Sequence, residues 1–309
     1  MSFQQIYKTG RQINLSRDTL QRNLRARNAE HARLNEELAT GQKIRRSSDD
    51  PTGFGIARRL DSFERQYDQI LRSVDSATSW TNSTQDTLDD IVNLVTSAYE
   101  EGIRGANATL GADGREMVAD RVGHILEEVV ERLNTRTADG YIFAGTNTTQ
   151  KPFVLDNAAG SDGAGVSYYG NAASQERTVG IEMRMSVGIA GARMTGSGGV
   201  AITEALGALR DALDADDSTA IESAIADVTT ARDHMIKLAA EAGTAGERLH
   251  HLREQASEIK LRVVEQRSGI EDADLAETVT EIQKNQTGIQ AAMRALASVY
   301  EYSILNYLR

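Results

Sequence analysis

The stretches of this 309-residue chain that could do chemistry are few: five histidines, the adjacent Asp49 and Asp50 and some glycine-rich runs. His124 and Glu128 stand four apart, and His251 and Glu254 three apart, spacings that put both members on one helix face. Each pair is half of a metal site, because zinc takes three or four protein ligands and no H-E-x-x-H run completes either set. Asp49 and Asp50 are a possible carboxylate pair. Adjacent residues rarely converge on one ion, and in Ser47-Ser48-Asp49-Asp50-Pro51 they read as turn and helix-capping residues. Gly196-Ser197-Gly198-Gly199 lacks the lysine and the strand-to-helix setting of a phosphate loop. The run from Gly160 to Gly165 holds one aspartate, short of the acidic spacing of a calcium loop. There is no G-x-S-x-G. Without cysteine, thiol catalysis, disulfides and cysteine-ligated metals are excluded. These residues predict no enzyme, no cofactor and no metal.

What remains is the scaffold that would have positioned such groups, and it is unusual in its own right. Aromatic residues make up 5% of the chain and there are two prolines, so long uninterrupted helices are favoured over a large globular core. A net charge of −11 argues against general nucleic-acid binding. No apolar run reaches the ~20 residues that span a bilayer, which predicts no membrane insertion. The first residues lack the apolar core of a secretory signal, so any export is expected to proceed without cleavage.

The final stretch, Asp274 to Arg309, carries Leu275, Val279, Ile282, Gln286, Ile289, Met293, Leu296, Tyr300, Ser303 and Tyr307 at alternating steps of four and three. That is a heptad seam, with Leu305 and Leu308 extending the apolar surface to the end. A long single helix with such a stripe is marginal in water and needs a partner. The other terminus offers one. Ile6, Ile13, Leu20, Leu24, His31, Leu34 and Leu38 keep a similar spacing, with Gly10 and Arg27 weakening the seam. Residues 1–46 hold ten Lys/Arg against four Asp/Glu, while residues 271–309 hold six acidic and three basic side chains, so opposite charge is expected to favour pairing of the two arms.

Between the arms, the pattern predicts a helix from about Gly55 to Gly102 with a break near Ser73, and another from Gly114 to Arg136. From Gly140 to Gly199 lie 12 of the 26 glycines and the second proline; Val166-Ser-Tyr-Tyr and the run Thr178–Val187 read as strands between turns. A helix from Ala201, a turn at Asp214–Ser218, and a helix from Ser218 to Ser268, slackened at Gly243–Gly246, complete the chain. The expected fold is mainly α: long antiparallel helices forming a coiled-coil rod from both termini, with a small β-rich inserted domain in the middle. The expected segments are an N-terminal arm (1–46), a helical rod in two parts (47–139 and 200–270), the insertion (140–199) and a C-terminal arm (271–309).

Three stretches resemble the flagellin-like proteins. Gly41-Gln-Lys-Ile-Arg-Arg-Ser-Ser-Asp-Asp-Pro is similar to the turn after their first helix. Leu133-Asn-Thr-Arg-Thr-Ala-Asp-Gly-Tyr-Ile-Phe-Ala-Gly-Thr-Asn-Thr, with Lys151-Pro-Phe behind it, resembles the signature of the hook-associated protein 3 family of hook–filament junction proteins. Asp272-Ala-Asp-Leu-Ala-Glu and Ser303-Ile-Leu-Asn-Tyr-Leu resemble that family's C-terminus. The resemblance implies a structural subunit outside the cell, with both arms in an inner tube and the middle facing outward. It implies a ring of about eleven copies between hook-associated protein 1 and flagellin, export through the flagellar type III apparatus, and a cytoplasmic chaperone covering the C-terminal helix until assembly. A flagellin filament subunit and a cytoplasmic coiled-coil scaffold are the competing readings. The assembly interface expected from the seams is Ile6, Ile13, Leu20, Leu24, Leu34, Leu38, Leu275, Val279, Ile282, Ile289, Met293, Leu296, Tyr300, Leu305 and Leu308.

Overall fold

A computed structural model describes residues 3–155, 164–195 and 201–307, and in the terminal helices the side chains from Asp18 to Ser298. Six long helices, with three short strand pairs between the third and the fourth, account for most of it. In order they are α1 (Phe3–Thr40), α2 (Pro51–Gly105), α3 (Ala112–Leu133), β1 (Arg136–Thr137), β2 (Gly140–Tyr141), β3 (Phe153–Leu155), β4 (Val166–Tyr168), β5 (Glu176–Thr178), β6 (Arg184–Ser186), α4 (Ile202–Asp214), α5 (Ser218–Glu271) and α6 (Leu275–Tyr307). The fold is mainly α, with long helices at both termini and a small β-bearing middle.

Contacts divide the chain into two compact units. One comprises residues 1–65 and 261–309; the other comprises residues 66–260. In the first, α1 and α6 lie antiparallel. Asp272 bridges Gln42, and Asn285 bonds to Arg27, so residues advance along one helix as they recede along the other. Helix α1 stops where Gly41 takes φ +70°, a left-handed conformation that favours glycine, and its N–H closes on the Glu37 carbonyl at 2.8 Å. Helix α2 opens on Pro51, with Asp50 Oδ1 accepting from the Thr52 N–H at 3.0 Å. Helix α6 opens on Asp274, whose Oδ1 accepts from Ala276 N and Glu277 N at 2.9 and 3.1 Å.

In the second unit, α2 and α5 run antiparallel: Asp68 meets Lys260 and Asp75 meets Arg253, each at 2.7 Å, and the Arg232 guanidinium lies over the Tyr99 ring. Val74, Leu88, Ile91 and Val95 of α2 share one core with Val122, Leu126 and Val129 of α3, Leu206 and Leu209 of α4, and Val228 and Leu238 of α5. The expected break at Ser73 is absent. No proline or glycine stands there, and the Ser73 hydroxyl donates to the Thr178 carbonyl at 2.5 Å instead of competing with the helix. The slackening at Gly243–Gly246 is absent too. A glycine costs a helix about 1 kcal/mol, and buried Ala239, Ala242 and Leu249 hold the helix on both sides of that point.

The run from Thr178 to Val187 is a hairpin, not a single strand. Thr178 pairs with Arg184, and Glu182 at φ +60° turns the chain between them. β1 pairs with β2, β3 with β4 and β5 with β6, all antiparallel and each pair a separate two-stranded sheet.

Candidate assembly interface

The seam between α1 and α6 is built from small and polar side chains as much as from large apolar ones. Helix α6 buries Thr278, Ile282 and Asn285 and half-buries Ile289, Ala292 and Leu296, again at steps of four and three. Helix α1 buries Leu34 and Glu37 and half-buries Leu20, Leu24 and His31. Asn285 Nδ2 donates to the Arg27 carbonyl at 2.9 Å, and the Arg27 guanidinium lies where a side chain on Gly288 would stand. The two ring nitrogens of His31 lie 2.8 Å from Asn35 Nδ2 and 3.2 Å from Gln286 Nε2. A buried Asn in a helical seam fixes register at a cost in stability.

Facing inward with small residues turns large ones outward. Leu275 is 49% exposed, Val279 40% and Met293 53%, and Leu38, level with Leu275 on α1, is 38% exposed. Of the residues expected at the interface, Leu34 and Ile282 are buried between the two helices; Leu20, Leu24, Ile289 and Leu296 are half-buried; and Leu38, Leu275, Val279 and Met293 face solvent. Ile6, Ile13, Tyr300 and Leu305 lie on helical backbone but outside the described side chains, and Leu308 lies outside the described residues. The sequence did not single out Thr278, Asn285, Gly288 or Ala292. Thr278, Asn285 and Ala292 keep heptad spacing, but no large apolar side chain marks it.

The opposite charge of the arms works differently from expectation. Among the described residues no ion pair joins α1 to α6. Arg33 is held by Glu30 and Glu37, both on its own helix, at 2.7 Å. The hydrogen bond from Arg33 keeps the Glu30 carboxyl below its ordinary range. Glu36 pairs with Arg45 of the following turn.

That turn is a backbone-fixed loop. Asp49 Oδ2 accepts from the Arg46 and Arg45 N–H groups at 2.9 and 3.1 Å, and these bonds lower its pKa. Lys43 N donates to the Glu271 carbonyl at 2.7 Å and Ala273 N to the Gly41 carbonyl at 2.8 Å, which ties the turn to the α5–α6 link. Asp49 and Asp50 thus both act within the turn. No group of three or more His, Asp or Glu among the described residues is placed to hold a metal.

In the second unit the segment after Leu133 anchors the strands. The Asn134 amide donates from Nδ2 to the Val130 and Phe153 carbonyls at 2.7 and 2.9 Å, and accepts at Oδ1 from Phe153 N at 3.0 Å. Ile142, Phe143 and Ala144 are buried, and the Phe143 carbonyl accepts from Gly191 N at 2.8 Å and the Tyr168 hydroxyl at 3.0 Å. Gly145, at φ +69°, leaves no room for a side chain, since a Cβ would stand 2.2 Å from Asn171 Oδ1. His124 and His251 are exposed on their helices, 3.7 and 3.6 Å from Glu127 and Glu254. The arrangement offers packing surfaces.

Comparison with known proteins agrees with that picture. The bacterial flagellin N-terminal helical region matches residues 12–148, and the bacterial flagellin C-terminal helical region matches residues 219–308. Flagellar hook-associated protein 3 of Escherichia coli strain K12 is 25% identical, over 89% of this chain and 92% of its own. The flagellar filament 33 kDa core protein of Treponema phagedenis is 23% identical, over 96% of this chain and 98% of its own. The crystal structure of flagellar hook-associated protein-3 from Legionella pneumophila superposes with a TM-score of 0.60 at 11% identity, covering 69% of this chain and 99% of that one.

Proposed function

Since this chain belongs to the bacterial flagellin family and is homologous to flagellar hook-associated protein 3, we propose that it is the structural subunit that joins hook to filament. The observation that carries the reading is the outward apolar flank of the terminal pair: Leu275, Val279 and Met293 stay in solvent although α1 and α6 are already paired. Fully burying a Leu, Val or Met contributes roughly 1.5–3 kcal/mol. Each of these has about half of that still to gain, which only a further surface can supply.

In this reading copies of the chain form a ring of about eleven, with hook-associated protein 1 on one side and flagellin on the other. The type III export apparatus delivers the subunit, and a cytoplasmic chaperone covers the C-terminal helix beforehand, because an apolar face without cover promotes aggregation. The site of action is extracellular. The chain does no catalysis; its work is packing.

A filament subunit is the second reading, since a filament core protein aligns along almost the whole chain. The segment Tyr141-Ile-Phe-Ala-Gly favours the junction. Its side chains are buried or half-buried against the strands, so it is part of the fold, and it resembles the junction family rather than flagellin. Deleting the gene in its source cell separates the two. The junction reading expects hooks without filaments and flagellin shed into the medium. Filaments of normal length, or the disappearance of flagellin itself, would overturn it.

A further inference from the structure

Charge along the α1–α6 pair is sorted by level, and among the described residues no ion pair between the two helices answers it. Nearest the turn, Asp272 and Asp274 of the α5–α6 link and Glu277 and Glu281 of α6 stand beside the stretch of α1 that holds Glu30, Glu36 and Glu37, with Arg33 the one cation at that level on either helix. Farther along, Arg22, Arg25 and Arg27 of α1 stand level with Lys284 and Arg294 of α6. Glu277, Glu281, Arg22, Arg25 and Arg27 are all exposed, and among the described residues none is in an ion pair. In the antiparallel register Arg25 is level with residue 288, so the centre of the basic zone lies about 13 Å along the axis from the midpoint of Glu277 and Glu281 at 1.5 Å per residue.

Two such pairs of the same polarity, set side by side at one level, would oppose acid to acid and base to base. A shift of one zone along the axis opposes acid to base. We infer that neighbouring copies of this chain pack their terminal pairs in parallel with an axial offset of about 13 Å, Glu277 and Glu281 of one copy lying against Arg22, Arg25 and Arg27 of the next. This rests on the assembly reading above, which gives all copies one polarity. At that offset Leu275 and Val279 of one copy come level with Lys284 and Gly288 of the next, within its basic zone. Charge here selects the alignment.

The test is incorporation into flagella isolated from cells that express the full chain. Glu277→Lys with Glu281→Lys should lower incorporation at least tenfold, and adding Arg22→Glu with Arg25→Glu in the same chain should restore at least half of it. Incorporation of the first variant at the parent level overturns the offset, as does a loss that the added pair fails to restore. Cross-linking guards against a variant that fails for another reason. The chain has no cysteine, so two differently tagged forms, each with one introduced cysteine, report only contacts between copies. The offset predicts cross-links for Glu281→Cys with Arg22→Cys and for Glu277→Cys with Arg27→Cys. Cross-links for Glu281→Cys with Ala32→Cys, which are level with each other, contradict it. If the unaltered chain is itself absent from the isolated flagella, the assembly reading falls along with the offset; if it is present, only the offset is at stake.

Discussion

Replacing Asn134 by alanine tests how the strands of the second unit are held. The Asn134 amide satisfies both the N–H and the carbonyl of Phe153, a residue with no solvent exposure, and adds a third bond to the Val130 carbonyl. Removing it strands one buried donor and one buried acceptor. Each such group costs about 1–3 kcal/mol, and partial entry of water trims the total to about 2–4 kcal/mol. The chain's single tryptophan, Trp80, is 2% exposed and lies in this unit, so its fluorescence follows the unit's unfolding in urea. With a denaturant slope of about 3 kcal/mol per molar, the midpoint should fall by about 1 M. Asn134→Asp should be at least as damaging, because a carboxylate oxygen would face the Phe153 and Val130 carbonyls where the amide now donates. An unchanged midpoint for Asn134→Ala, or an Asn134→Asp variant as stable as the parent, would refute the account of this amide.

Three further outcomes follow from the geometry. Gly145→Ala forces a Cβ onto Asn171 at a positive φ and should cost the second unit about 2–4 kcal/mol, read by the same Trp80 transition. The Arg193 guanidinium holds Glu241 through two hydrogen bonds of 2.7 and 3.0 Å and lowers its pKa. The resulting stabilisation is complete above the ordinary carboxyl range and is lost as pH falls through the lower folded value; the stability gap between parent and Glu241→Gln at pH 7 should therefore close as pH falls below the ordinary carboxyl range. Changing Leu275, Val279 and Met293 together to alanine should leave the Trp80 transition in place. It should weaken association of the chain into flagella about 100-fold, the equivalent of losing about 1 kcal/mol of further burial at each position.

The sequence carried the period of the terminal helices but not their orientation. Two heptad seams run along α6, one through Leu275, Val279 and Met293 and the other through Thr278, Asn285 and Ala292, and they share Ile282, Ile289 and Leu296. Hydrophobicity selects the first; the structure turns the second toward α1. An apolar residue needs burial but does not say by whom, and a small residue that lets two helices approach leaves no hydrophobic mark. The charge difference between the arms was likewise plain from counting, whereas its sorting by level required the antiparallel register. Ser73 and Gly243 misled for a local reason. Serine and glycine weaken a helix by amounts that packing readily outweighs, and Val74, Ala242 and Leu249 beside them are buried. Alternation reads the run around Ile181 as one strand because it cannot place a turn, and the turn here falls at Glu182, a residue type seldom found at positive φ.

The most direct test of the account is the accessibility of the outward flank before and after assembly. Single cysteines at positions 275, 279 and 293, in a chain that otherwise has none, can be labelled with a maleimide in the purified protein and in isolated flagella. The account predicts rapid labelling of all three in the free protein and at least tenfold slower labelling once the chain is assembled. Equal labelling in the two states would mean that this surface stays in water throughout, and that the junction is held by something else.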